Sequence, residues 1–334
     1  MIKIKEITDL ATAERLWRAL SPRKTIFDEW DFRYCFYKYD IHPILFLAAY
    51  DSEKKNSTKD DKAKDKVDGR ENDNKKDCHE HDAEEGDLIG LLPLQLHPKH
   101  GYEFFDEYNC EENRPFIKSG YENIIPDLYQ AIPGKAKIYD ISGEDEFTTK
   151  LEIEDYSYFL PLAGLENFND FLQKRLSSKR RKSLLKEITE AENNNLEIEI
   201  FKGSYDEKSL GGLEKLFSFN TGNFGSESYL LKEDQAPWLD LLKLDFDWRF
   251  IVAKISGEIQ GVALSILYNN DWHYLITGVN YKDFSGLGKL MVKVAIEAAL
   301  KEGVSIFDAG LGDCGWKHLW HFDKLPQYIF TKES

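Results

Sequence analysis

The sequence predicts an α/β protein with mixed sheets of the α+β kind, divided into two units. Three observations predict it. Short alternating or apolar runs that suit strands recur between amphipathic helical segments along most of the chain. A strand, a glycine-containing turn, a long apolar helix and a second strand follow one another from residue 271 to 309. At 334 residues the chain exceeds one ordinary domain, and 42% apolar content with 21 Phe, 17 Tyr and 7 Trp is ample for buried cores. We place the first unit at residues 1–155, with an insertion at 51–86, and the second at 156–334.

In the first unit, Ile2 and Ile4 alternate as a short strand, and Thr8 is positioned to cap a helix that carries Leu10, Ala13, Trp17 and Leu20 and ends before Pro22. The aromatic segment 27–39 reads mainly as packing. Apolar runs at 44–50 and 87–96 read as neighbouring strands. Between them, 51–86 is almost all Asp, Glu, Lys, Asn and small residues, without the apolar content to offset ordering entropy, and reads as a disordered insertion. Its Cys78, His79, Glu80 and His81 are packed too tightly for a usual zinc spacing, so no metal is expected. The stretch 101–116 mixes aromatic and acidic residues; such a loop either binds amines or sugars or seals a domain seam. A short helix at 121–132 and a strand at 135–140 complete this unit.

The second unit opens with a strand at 156–162 and a helix at 165–175. A helix from Ser177 or Ser178 to about Asn193 follows, with Lys174, Arg175, Lys179, Arg180, Arg181, Lys182 and Lys186 making the most basic patch of the chain. A strand at 196–201, a helix at 210–220, a loop at 221–226 and a helix near 234–244 come next. Strands 248–254 and 259–268 form a hairpin.

Asp and Glu number 60 against 44 Lys and Arg, and the formal charge of -16 opposes nonspecific polyanion binding over most of the surface. No apolar run approaches the roughly 18 residues of a membrane span, and the N-terminus lacks a secretory apolar core, so the expected location is cytoplasmic. Cys35, Cys78, Cys110 and Cys314, at unrelated spacings, fit reduced thiols.

Residue order separates three readings of the glycines in 271–320. A Walker loop fails because Asp283 stands where its first glycine belongs and Leu290 follows Gly288-Lys289. Gly310, Gly312 and Gly315 spell a dinucleotide fingerprint, but too little chain follows to build the rest of that unit. The turn Ser285-Gly286-Leu287-Gly288 instead frees backbone N–H groups at a helix start, where they and the helix dipole suit an anion such as a pyrophosphate.

This last arrangement resembles the GNAT acetyltransferase superfamily, whose acyl-CoA pyrophosphate rests on Gln/Arg-x-x-Gly-x-Gly/Ala. Gly286 and Gly288 match; Asp283 departs from the leading basic or amide residue. Asp308, Gly310, Gly312, Asp313, Trp316 and Lys317 are similar to the strand and Gly-Asp-x-x-aromatic-Lys ending of the CelD-like and Fem-like branch, as is the Ser-Lys-rich opening of the basic helix. The resemblance implies two GNAT-like domains in tandem, with acetyl-CoA or another acyl-CoA as donor. It also implies cofactor contacts from the backbone at Val279, Asn280 and Tyr281, from the turn Ser285, Gly286, Leu287, Gly288 and Lys289, and from Arg180.

Acyl transfer needs an acceptor that loses a proton, a stabilised oxyanion and a protonated leaving group. Asp308, Lys317 and Tyr281 are the candidate catalytic residues. Asp308 suits a base or an orienting group, although satisfying a neighbouring backbone or Arg is an equal use. Lys317 matches a lysine that, in the resembled branch, is associated with a phosphorylated donor or with developing charge. The expected activity is N-acyl transfer to an amine of a small molecule, peptide or glycan precursor. An aminoacyl-tRNA-dependent peptidyl transfer, which would use the basic helix, and a non-catalytic GNAT-fold binding or scaffold protein are the alternatives.

Overall fold

Neighbouring strands join edge to edge into one mixed sheet in the computed structural model, which describes residues 1–53, 86–228 and 230–333. Most of the expected 51–86 insertion, with Cys78 to His81, lies outside the described residues.

The N-terminal half runs β1 (Ile2–Ile7), α1 (Leu10–Leu20), α2 (Trp30–Tyr37), β2 (Ile44–Asp51), β3 (Asp87–His97), β4 (Gly101–Phe104), β5 (Phe116–Ile117), α3 (Ile125–Gln130) and β6 (Ala136–Ile141). Asp9, not Thr8, caps α1, its carboxylate accepting from Thr12 N at 2.8 Å. An Asx side chain one residue nearer the first turn reaches that donor directly.

The chain continues with β7 (Glu152–Pro161), α4 (Phe168–Arg175), α5 (Ser178–Glu192), β8 (Leu196–Lys202), α6 (Glu207–Phe224), α7 (Gln235–Leu241), β9 (Asp247–Ile255), β10 (Glu258–Tyr268), β11 (Asp271–Val279), α8 (Leu287–Glu302), β12 (Ile306–Leu311) and β13 (Asp323–Lys332). The division expected at 155/156 falls inside β7. The expected loop at 221–226 is mostly helix. α6 continues through Phe224 because Asn220 is buried against Ser228 Oγ at 2.7 Å and Asn223 reaches Val279 O at 2.8 Å, partners that outweigh the weak helix preference of Thr-Gly-Asn.

The strand order is β1-β2-β3-β4-β6-β13-β7-β12-β11-β10-β9-β8, with β5 beside β3. The two middle strands are exchanged. β7, which follows the N-terminal half in sequence, pairs with β12, while β13, the last strand, pairs with β6, and the two pair with each other. β13 is absent from the sequence expectations, since Pro326 argues against a central strand. A register shift on both its sides, at Gln327/Tyr328 and Tyr328/Phe330, goes with that placement.

Among the described residues three apolar cores hold the sheet. One packs α4, α5 and α8 on the C-terminal half through Phe171, Leu184, Ile188, Leu290 and Trp320. A second gathers Trp17, Phe46, Leu92 and Phe105 in the N-terminal half. The third straddles the halves, setting Phe27, Phe32 and Phe36 against Leu216, Phe217 and Ile276. Cys35, Cys110 and Cys314 are free thiols, the first two buried. No described helix is long and apolar enough to cross a membrane.

Candidate active site

β11 and β12 are parallel neighbours, yet they pair only at Asp271↔Ile306, Trp272↔Phe307 and His273↔Asp308. Beyond that point β11 runs on to Val279 and β12 to Leu311 with no pairing between them. A register break against β7 at Asp308/Gly310, with Gly310 at φ +78°, marks where β12 turns away. The result is a V-shaped gap with its apex at His273 and Asp308.

Charged groups crowd the apex. His273 Nδ1 donates to Asp308 Oδ2 at 2.8 Å, and Gly310 N donates to the other carboxylate oxygen at 2.9 Å. Burial acts to raise the Asp308 carboxyl, but the His273 hydrogen bond and charge outweigh it and hold the group below the usual carboxylate range. Burial likewise opposes charge on His273, and the Asp308 hydrogen bond and charge overcome it, raising the imidazole. Each partner thus favours the charged form of the other. His273 is 3% exposed, and its Nε2 is buried without a hydrogen-bond partner.

Lys317, 4% exposed, sits on the 3-10 turn after β12 and donates from Nζ to Leu311 O at 2.6 Å. Burial lowers its ammonium pKa against the pull of Glu111 and Asp308. Glu111 comes from the opposite half of the molecule. Its Oε2 accepts from Leu311 N at 2.9 Å, and a Cβ at Gly310 would lie 2.4 Å from that oxygen, so Gly310 is the residue that lets the carboxylate in. Burial and then the Asp308 charge push the Glu111 carboxyl up to about 7.

Glu111, His273 and the residue that positions Glu111 were not among the sequence candidates. Arg33 on α2, 1% exposed, donates to Phe27 O at 2.6 Å, Phe105 O at 2.9 Å, Glu112 O at 2.7 Å and Asn113 Oδ1 at 2.9 Å. Its guanidinium pins both ends of the 105–113 loop, so that Glu111 reaches the seam. The mixed aromatic and acidic composition of 101–116 was the available signal.

The other predicted residues gather at the far end of β11. His273 and Val279 are six residues apart, roughly 20 Å at about 3.3 Å per strand residue. Tyr281 is thus separated from Asp308 and Lys317, and its ring lies over Gly288, where a Cβ would come within 2.9 Å of it. Gly286, at φ +84°, caps α8 and approaches α5 so closely that a Cβ would lie 2.3 Å from Glu187 O. Leu287 points into the core, Ser285 is exposed, and Lys289 forms an ion pair with Glu187. Val279 O already accepts from Asn223, and Asn280 N donates to Gln260 O at 2.8 Å. Asp283, which departs from the family pattern, closes the turn by accepting from Asn280 Nδ2 at 3.0 Å. The first-turn N–H groups of α8 have no intrahelical acceptors and open toward this end of the gap.

Arg180 joins the two ends indirectly. Its Nε donates to Leu319 O at 3.0 Å in the turn that carries Lys317, while its Nη2 is buried without a partner. Glu187–Lys289 and Glu192–Lys293 ion pairs align α5 alongside α8 in the same direction. Arg180 precedes Glu187 by two turns, so the basic start of α5 extends roughly 10 Å past the α8 N-terminus at about 1.5 Å per residue. Among the described residues no group of three or more His, Cys, Asp or Glu is arranged to hold a metal ion.

Residues 231–318 match the Acetyltransferase (GNAT) domain family. A search of curated proteins finds no match. Among solved structures, FemX superposes over 98% of this chain and 96% of its own, with TM-score 0.52 and 9% identity. A tandem GNAT protein from the clavulanic acid biosynthesis pathway covers 100% of this chain and 98% of its own, with TM-score 0.50 and 8% identity. L-PGS from Bacillus licheniformis covers 72% and 80%, with TM-score 0.51 and 12% identity. At such identities the likeness concerns the fold. The chain has the tandem GNAT fold, with the matched acetyltransferase-type domain in its C-terminal half.

Proposed function

We propose that this protein is an N-acyltransferase that moves an acyl group from acyl-CoA, acetyl-CoA in the simplest case, to an amine. The observation that carries the reading is the gap between β11 and β12, which runs roughly 20 Å from a buried ionic apex to a glycine turn at a helix N-terminus. A pantetheine arm would lie in the gap with its thioester at the apex and its pyrophosphate at Ser285 to Lys289. Because Val279 O and Asn280 N are engaged, the strand edge that receives the arm lies upstream, where Thr277 Oγ1 is buried without a partner.

At the apex the acceptor nitrogen attacks the thioester carbonyl carbon, the C–N bond forms and the C–S bond breaks. Glu111 takes one proton from the acceptor's ammonium group before attack, and the departing thiolate takes the second, which the nitrogen loses as the amide forms. A carboxylate titrating about 7 is matched to that task, whereas ion-paired Asp308 is a weaker base and instead fixes His273. Lys317 places a positive charge beside the developing negative one.

The basic start of α5 favours a second donor, an aminoacyl-tRNA, whose phosphates would meet exposed Lys179 and Lys182. Thermal unfolding with coenzyme A, acetyl-CoA and tRNA at two salt concentrations tests both. Stabilisation by micromolar coenzyme A supports the first donor. Salt-sensitive stabilisation by tRNA alone replaces it with the second. Indifference to all three rejects both and leaves a binding or scaffold role.

A further inference from the structure

We propose that the cavity beside Leu311 binds a multiply protonated aliphatic amine, a polyamine-like cation, as the acyl acceptor. The assignment rests on the N-acyltransferase reading and adds the acceptor's chemistry to it. The cavity has a volume of about 640 Å³, within the size range of small-ligand sites. It lies in the N-terminal half, between the β3–β4 turn, the 105–109 segment, β6 and β7, and it meets the candidate active site at Leu311.

Carboxylates dominate its wall. Glu103, Asp106, Glu107, Asp140, Glu154 and Asp155 line it, and exposed Asp40, Lys99 and His100 with half-buried His97 complete its charged groups. Among the described residues, Asp40 is the only one of these acids with an ion-pair partner, His42 at 3.4 Å. Asp106 and Glu107 are 6% and 7% exposed, so two nine-tenths-buried carboxyls line the cavity with no cation paired to them. Their hydrogen-bond partners are neutral: Asn109 Nδ2 at 3.0 Å and the Cys110 thiol at 3.8 Å for Asp106, and Phe104 N at 3.0 Å and the Tyr139 backbone for Glu107.

Buried carboxylates without counter-ions are costly, and they respond by holding protons or by gaining a cation. Here burial raises Asp106 to about 8, with Arg33 too weak an influence to offset it. Asp140 rises to about 7 through burial and then the charges of Glu154, Glu111 and Asp155, and Glu107 rises well above its usual range through burial. Lys137 pulls Glu154 down without cancelling its burial. A ligand with several ammonium groups supplies the missing charge and displaces those protons. The same wall repels phosphorylated glycan precursors and acidic peptides, which narrows the acceptor to cationic small molecules.

The inner end of the cavity sets the reacting nitrogen. Leu311 gives its N–H to Glu111 and its carbonyl to Lys317, so an amine that reaches Leu311 arrives beside the residue that holds the base. There it loses a proton to Glu111 before attack on the thioester.

Calorimetric titration with spermidine, without any acyl donor, tests the assignment at moderate salt and in two buffers of different ionisation enthalpy. The expected result is one-site binding with net proton release. A double variant, Asp140→Asn with Glu154→Gln, should weaken it by about tenfold or more, since both changes remove a charged acceptor from the cavity wall. Asn is well tolerated at the left-handed backbone of Asp140, φ +52°, and the variant's melting temperature verifies its fold. A control pair on the distant strands β8 and β10, Glu197→Gln with Glu258→Gln, should stay within about twofold. Absence of binding, equal weakening in the control pair, or equal binding of uncharged 1,6-hexanediol would overturn the assignment. If spermidine fails while coenzyme A still binds, the acceptor assignment alone falls. If spermidine binds but coenzyme A does not, the cavity stands as a cation site and the acceptor role is lost with the donor.

Discussion

The two halves repeat one arrangement and use it differently. In each, parallel strands flank a helix: β4 and β6 around α3, β11 and β12 around α8. α8 has 16 residues and starts at a left-handed glycine, the geometry that opens backbone N–H groups to an anion. α3 has six residues and starts through Pro126, which leaves no comparable turn. The chain ahead of α3 instead leaves its own half, passes under Arg33 and inserts Glu111 beside Leu311. On the proposed reading one copy would hold the donor's phosphates, while the other supplies a carboxylate and an acidic cavity wall. Repetition of a fold is therefore no guide to repetition of its site.

Four variants sharpen that contrast, from the largest expected effect to the smallest. Glu111→Gln should lower kcat by about 100- to 1,000-fold while leaving coenzyme A affinity within about twofold, read by steady-state kinetics and donor titration. The wild-type rate should climb as pH rises through about 7, where Glu111 ionises, and the variant should lack that limb. Linkage gives a second readout. The raised carboxyl binds more protons in the folded chain between its usual value near 4.5 and about 7, so its contribution to stability is complete below that window and is lost as pH rises across it.

Arg33→Met should cost about 3 kcal/mol of unfolding free energy, because four buried acceptors lose a charged donor at once, and urea unfolding reads it directly. The surviving folded fraction should bind coenzyme A normally. Gly286→Val acts on the opposite half: a branched side chain at φ +84°, aimed at Glu187 O, should cost about 2 kcal/mol and weaken the donor by about tenfold. Spermidine binding should be unchanged. The smallest effect belongs to Lys179→Glu with Lys182→Glu, which should shift coenzyme A affinity by less than about threefold. A much larger loss would move weight to a polyanionic donor.

What the sequence made legible was local. The strand-turn-helix-strand at 271–311 follows from hydrophobic period and two glycines, and the structure keeps each of those elements. Asp308 and Lys317 were candidates because they lie close in sequence to that motif, and in the structure each feels the other's charge. His273 was passed over although it sits opposite Asp308 in register, because parallel register is set by packing across α8 and not by any neighbour in sequence. Glu111 and Arg33 were beyond reach for the same reason: their partners lie up to 200 and 80 residues away. Tyr281, also a candidate, has its ring over Gly288.

The exchange of β7 and β13 bears on how substrates enter. A two-domain enzyme usually opens by rotating one lobe about a linker, but here the lobes are sewn through the middle of one hydrogen-bonded sheet. Prising them apart would break ladder bonds on both central strands. On the proposed reading, donor and acceptor would then approach the apex by separate routes, one past the turn ahead of α8 and one through the acidic cavity beside Leu311, without the halves parting.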